Sequence, residues 1–369
     1  MKHFSVVAAL TTALLATATL AAEAPDAQPK IQIAILLDTS NSMDGLINQT
    51  REQLWRIVNT FATAKRNGKS PRLELALYQY GNSGLSQESG YIQRLVPLTT
   101  DLDKVSEALF KLKTNGGDEY CGLVIHQAIH HLEWSRAKGD LKLIYIAGNE
   151  PFTQGTFNYK EAVKEAISSG VVVNTIHAGS EREGIDGKWK DAALLADGNF
   201  ITIDQNRAVA RVNAPMDLEI ARLNDALNAT YVSYGSEGGR AKERQVAQDK
   251  NATGMSAASL ATRAASKSSG FYDNSGWDLV DAKKKGQAVA EEALPAEVRK
   301  LSKDEREKFV ETKTKERGEL QAKISQLAQE RDQYVQTEMK KQATQGPKTM
   351  DDALIESAKT QAAKQAFSF

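Results

Sequence analysis

The sequence predicts a doubly wound, mostly parallel α/β sheet followed by a helical C-terminal extension. Three observations carry this. Ile31–Leu37 is an almost unbroken apolar run of strand length, as a central parallel strand covered on both faces requires. Similar runs alternate with helix-periodic stretches as far as residue 206. Beyond about residue 280 the aromatic residues thin out and charge rises, which marks a region of a different kind.

The elements follow in order. Residues 1–22 read as a secretory signal peptide: Lys2 supplies the positive end, Phe4–Leu20 carries no charge, and Ala21 and Ala22 offer small residues for cleavage. Five Ser or Thr interrupt that apolar stretch, so a membrane anchor is the poorer reading. After Ile31–Leu37, a helix is predicted over Leu46–Lys65. Leu73–Tyr80 reads as a strand, with a shorter strand, Tyr91–Leu98, beside it. Helices are expected over Leu102–Leu112 and about Leu123–Arg136. They are followed by strand Lys142–Ile146, helix Tyr159–Ser168, strand Val171–Ile176, helix Lys188–Ala196 and strand Phe200–Ile203. Strands separated by helices imply crossover connections and hence parallel pairing.

Residues 207–282 form a second region. Asp217–Ala229 has helical spacing, whereas 236–270 is small and polar, without aromatic residues, and its fold stays open. Phe271, Tyr272 and Trp277 are anchors that would dock the region onto the first domain. Residues 283–369 are charged and helix-prone. Lys283–Lys341 holds 15 basic and 12 acidic residues, a balance that favours a solvated helix over a polyanion site. Leu320, Ile324, Leu327 and Tyr334 suggest a short coiled-coil seam, which Arg317 and Arg331 interrupt; the competing reading packs these helices on their own chain.

Composition narrows function. Lys and Arg total 47 against 47 Asp and Glu, and loss of residues 1–22 removes only Lys2. Bulk-charge binding of nucleic acid is therefore excluded as an expectation. No later run is long enough to span a membrane, and the single cysteine, Cys121, rules out an internal disulfide framework. Phosphate-loop, dinucleotide-binding and nucleophile-elbow motifs are absent.

One constellation carries chemistry. Asp38-Thr39-Ser40-Asn41-Ser42 follows the first strand and precedes a helix, at the carboxyl edge where open α/β sheets bind ligands. Asp38, Ser40 and Ser42 offer three oxygens from one tight loop, which suits a hard divalent cation. Neutral hydroxyls leave such an ion under-neutralised, able to recruit an acidic side chain from a partner. The plainer alternative is that Asp38 and Ser40 cap the next helix. A competing set, Cys121, His126 and His130, with Glu119 as a further ligand or base, suggests zinc or a metal-dependent hydrolase, but no known ligand spacing supports it.

The Asp-x-Ser-x-Ser pattern after an apolar strand resembles the first motif of the von Willebrand factor A (VWA) family, where it opens a metal-ion-dependent adhesion site (MIDAS). The resemblance covers about residues 30–206 and implies a VWA/Rossmann-like fold and a non-catalytic role in protein–protein interaction. The family's second motif, a Thr after a Gly-Gly turn, is replaced here by Asp118 after Gly116-Gly117, and its third, an Asp-Gly pair, by Gly148-Asn149. The implied ion is Mg²⁺ or Ca²⁺, held by Asp38, Ser40, Ser42 and Asp118. The expected setting is export, to the periplasm of a Gram-negative cell, with an unidentified protein partner in the envelope. The rival is an oligomerising envelope scaffold with a vestigial ion site.

Overall fold

The computed structural model describes residues 28–41, 43–204, 212–342 and 350–369; the segment read as a signal peptide and Ser42 lie outside them. Six strands form one sheet: β1 Lys30–Asp38, β2 Arg72–Tyr80, β3 Ile92–Thr99, β4 Leu141–Gly148, β5 Val172–Ala178 and β6 Phe200–Ile203. Their order is β3-β2-β1-β4-β5-β6. All neighbours pair in parallel except β2 and β3, which pair antiparallel, so the expected short strand forms an antiparallel edge. From β1 the chain builds outward first through β2 and later through β4. The strand order therefore switches at the crevice beside β1, the place where open α/β sheets hold ligands.

Helices α1 (Asp44–Ala62), α2 (Leu102–Lys111), α3 (Cys121–His131), α4 (Tyr159–Ser168), α5 (Glu181–Asp186) and α6 (Trp189–Leu195) accompany the sheet. Because alternate residues of a strand face opposite sides, β1 feeds two cores. Ile31, Ile33, Ile35 and Leu37 pack with Leu54, Val58 and Phe61 of α1 and with Val105 and Leu109 of α2. Ala34 and Leu36 pack with Val124 and Ile125 of α3, Val163 of α4 and the fully buried Trp189 of α6. The polar exception, Gln32, is satisfied: its amide donates to Glu74 Oε2 at 2.7 Å and accepts from Ser135 N at 2.7 Å.

The second region is helical throughout its open stretch: α7 Asp217–Asn228, α8 Gly238–Met255, α9 Ala257–Lys267 and α10 Leu279–Lys284. After the single turn α11 (Ala296–Arg299) comes α12, Lys303–Gln342, a helix of 40 residues, and then α13, Met350–Lys364. The coiled-coil seam is corrected here. Leu320, Ile324 and Leu327 of α12 pack on Ile220, Leu223 and Leu227 of α7 and Ala261 and Ala264 of α9. The two arginines that break the heptad are the reason. Arg317 is buried against Asp278 at 2.6 Å and Asp281 at 2.7 Å, and Arg331 against Asp217 at 2.6 Å. The inward face of α12 is thus matched to acids of its own chain. The C-terminus returns to the sheet: Asn174 of β5 exchanges hydrogen bonds with Gln361 of α13, and Phe367 joins the core cluster that contains Phe61. Among the described residues no helix is long and apolar enough to cross a membrane.

Candidate metal centre

Asp38 ends β1 with its side chain fully buried. Four chain segments meet around it. Thr39 N donates to Tyr80 O at the end of β2 (2.9 Å), and Asn115 N donates to Thr39 O (3.0 Å). Ser83 N donates to the carbonyl of Gly116 in the Gly-Gly turn (2.7 Å). From the β4 end, Gln154 Oε1 accepts from Glu119 N (2.9 Å). Backbone pairing therefore fixes the loop before any ligand is considered.

Glycines make the approach possible. Gly81 has φ +74, and a Cβ there would lie 2.7 Å from Glu119 Cγ and 2.8 Å from Asp38 Oδ1. At Gly148 a Cβ would lie 2.6 Å from Tyr80 Oη and 3.1 Å from Asp38 Oδ2. Position 148, where the family's third motif has its Asp, presses on Asp38 and Tyr80, which would have to shift to admit a side chain there.

The helix-cap alternative is not what forms. α1 begins at Asp44, and its cap residue, Met43, receives no side-chain capping bond. Asp38 Oδ1 instead accepts from Ser40 N at 2.7 Å, an Asx turn that shapes the loop itself. Asp38 Oδ2, also buried, has no fixed N–H or hydroxyl partner among the described residues, and the proton that Glu119 holds is shared with the Asp38 carboxylate. Asn149 Oδ1, just past the end of β4, is a second buried oxygen without a donor among the described residues.

The structure brings Asp38 and Ser40 together, but not Asp118. Asp118 is exposed and accepts from Tyr120 Oη at 3.1 Å. Its neighbour Glu119 turns inward, only 4% exposed, within hydrogen-bonding reach of Asp38 and Ser40. Side chains at 118, 119 and 120 alternate between outside and inside, so a one-residue difference after the Gly-Gly turn exchanges one acid for the other. The adjacent pair Asp118-Glu119 was the available signal, and spacing alone could not choose between its members. Burial pushes the Glu119 carboxyl up to about 9, with Asp38 adding to the rise. Burial likewise raises Asp38 to about 6, against the lowering effect of the Ser40 hydrogen bonds. Glu150 raises both further by like charge.

This donor set suits a hard cation. It comprises buried carboxylates, a hydroxyl and an orphaned carboxylate oxygen, with neither thiolate nor imidazole among them. The zinc constellation read from Cys121, His126 and His130 does not assemble. Cys121 is buried in the sheet-facing core with its Sγ 3.7 Å from Tyr80 Oη. His126 and His130 instead lie outward on α3 against Glu165.

Residues 32–193 match the profile of the von Willebrand factor type A domain. Solved structures with a similar fold include the conserved hypothetical protein BatB from Bacteroides thetaiotaomicron. It is 17% identical over 47% of this chain and 90% of its own, with TM-score 0.36. The VWA domain of SpRpn10 is 19% identical over 47% and 88%, TM-score 0.35. Proximal thread matrix protein 1 of the mussel byssus, in a structure described as having a zinc-occupied MIDAS motif, is 14% identical over 49% and 43%, TM-score 0.35. No curated protein matches the chain.

Proposed function

Taking as premise that residues 32–193 of this chain are a von Willebrand factor type A domain, we propose that it is a non-catalytic protein-interaction module. Its contact with a partner is made through a divalent cation at the end of β1. The observation that carries this is Asp38 Oδ2, a buried carboxylate oxygen with no fixed N–H or hydroxyl partner among the described residues, set where the strand order switches and sharing a proton with a second buried acid, Glu119. Such an oxygen is costly to bury, and a cation or a shared proton is what relieves it.

Asp38, Ser40 and Glu119 would hold the ion, with Ser42 as the further hydroxyl the motif offers. Asn149 supplies another oxygen from the adjoining strand end. The bound ion, Mg²⁺ or Ca²⁺, would supply a Lewis-acidic coordination position for a partner's carboxylate. The chain's own residues do the rest. The Asx turn fixes Asp38, and Gln154 anchors the Glu119 backbone. Two acids in place of one Asp and one Thr strengthen the hold on the ion and weaken its pull on an incoming carboxylate. Binding is therefore expected to be tight for metal and moderate for partner.

The proposal includes export through residues 1–22 and a partner in the cell envelope, which fractionation of cells expressing the full chain would check. Calorimetric titration of Mg²⁺ and Ca²⁺ tests the site: heats from wild type should vanish in Asp38→Ala, and equal heats from both would remove it. A pull-down from envelope extract, with and without chelator, then asks whether partner capture depends on the ion.

A further inference from the structure

On the face of the sheet covered by α3 and α4, two imidazoles and a carboxylate converge. His126 and His130 are four residues apart on α3, hence on one side of that helix. Glu165 reaches them from α4, which packs alongside. Its Oε2 lies 2.7 Å from His126 Nδ1 and 3.4 Å from His130 Nε2. The three candidate ligand atoms all lie within 4.8 Å of one another.

We propose that His126, His130 and Glu165 form a binding site for a borderline divalent transition ion, Zn²⁺ first among them, separate from the Asp38 loop. Ligand chemistry selects the ion: imidazole nitrogen suits Zn²⁺, Ni²⁺ and Cu²⁺ and does not suit Mg²⁺ or Ca²⁺. Geometry permits it. Bonds of about 2.0–2.1 Å in a tetrahedral site set ligand atoms roughly 3.4 Å apart, so the separations here need only small side-chain rotations. Charge also fits, since one carboxylate and two neutral imidazoles hold a dication without over-neutralising it. The His126 ring is braced by Phe157, ring centroids 4.4 Å apart, and by His130 at 4.5 Å. All three residues retain solvent access, and His130 is 54% exposed. Three protein ligands with an open fourth position make an exchangeable site that water or a donor from another molecule can complete. The competing reading is a hydrogen-bonded clamp between α3 and α4 that binds no metal.

Equilibrium dialysis of chelator-stripped full-length protein against Zn²⁺ separates the two. At free Zn²⁺ up to tenfold above the wild-type Kd of this site, wild type should saturate the site and so bind one more equivalent than His130→Ala. Asp38→Ala should keep it. Co²⁺ should give a visible ligand-field absorption that is lost in His130→Ala and in Glu165→Gln, while unchanged circular dichroism confirms that both variants fold. Equal zinc stoichiometry in wild type and His130→Ala, or no zinc bound by wild type, would overturn the site and leave the clamp.

Discussion

Arg263 and Lys267 of α9 are as thoroughly buried as Asp38 at the end of β1, yet their surroundings differ in kind. Arg263 contacts Asp103 at 2.7 Å and Asp249 at 2.6 Å, and its guanidinium lies 4.6 Å from the centre of the Trp55 ring. Lys267 reaches Asp249 at 3.0 Å and Asn224 at 2.7 Å. Burial pushes Asp249 up, but Lys267 and Arg263 outweigh it and hold the carboxyl below its ordinary range. Around Asp38 burial raises the carboxyl and the like charge of Glu150 adds to the rise, while hydrogen bonds from Ser40 and Glu119 lower it. Two cations against two acids lock the extension onto the first domain. Around Asp38 no lysine or arginine among the described residues plays that part.

Breaking the balanced cluster should have the largest effect. Arg263→Ala leaves buried Asp103 without its cation and Asp249 with Lys267 alone; breaking a buried pair in this way typically costs about 3–5 kcal/mol. Urea denaturation should show this as a lower midpoint at unchanged slope. A loss under 1 kcal/mol would mean that the extension is held by its apolar contacts alone.

The unbalanced cluster should respond to pH instead. Glu119 titrates near 9 in the fold against 4.5 for an ordinary glutamate. Between those values the unfolded chain has released a proton that the folded chain keeps, so stability falls as pH rises. The contribution is fully present below about 4.5 and is lost by about 9. Asp38, raised to about 6, acts in the same direction over the lower part of that window. In the ion-free protein Glu119→Gln has no proton to lose there. It should match wild type near pH 5 and exceed it increasingly toward pH 9. Parallel stability profiles for the two proteins would show that Glu119 is not the group responsible.

Sequence and structure agree where one dominant force acts. Ile31–Leu37 could be placed because burial on both faces leaves no polar alternation, and Asp38 followed from where that run stops. The strand order, by contrast, depends on crossovers that no local residue encodes. Segment 236–270 looked undecided because its helices bury small and polar residues: Gln245, Gln248 and Asp249 are inside, hydrogen-bonded to Tyr272, Ser106 and Arg263. Its composition alone therefore carried no apolar stripe to read. Glu119 was hidden for a different reason. Two adjacent acids are equivalent until the chain's direction after Gly117 decides which one faces the sheet.

The smallest predicted effects come from one substitution made in both regions. Gly148→Ala places a methyl group 2.6 Å from Tyr80 Oη and 3.1 Å from Asp38, with β4 unable to retreat because it pairs with β1 and β5. Overpacking of this kind costs about 1–3 kcal/mol. Gly318 lies in the middle of α12, exposed, with nothing within 4 Å of a built Cβ. There the methyl group meets no obstacle and reduces the freedom of the unfolded chain, so Gly318→Ala should stabilise by about 0.5–1 kcal/mol. Thermal melts of the two variants should move in opposite directions. A stabilising Gly148→Ala would show that the loop at the end of β1 has slack, and a loop with slack could not hold Asp38 fixed for an ion.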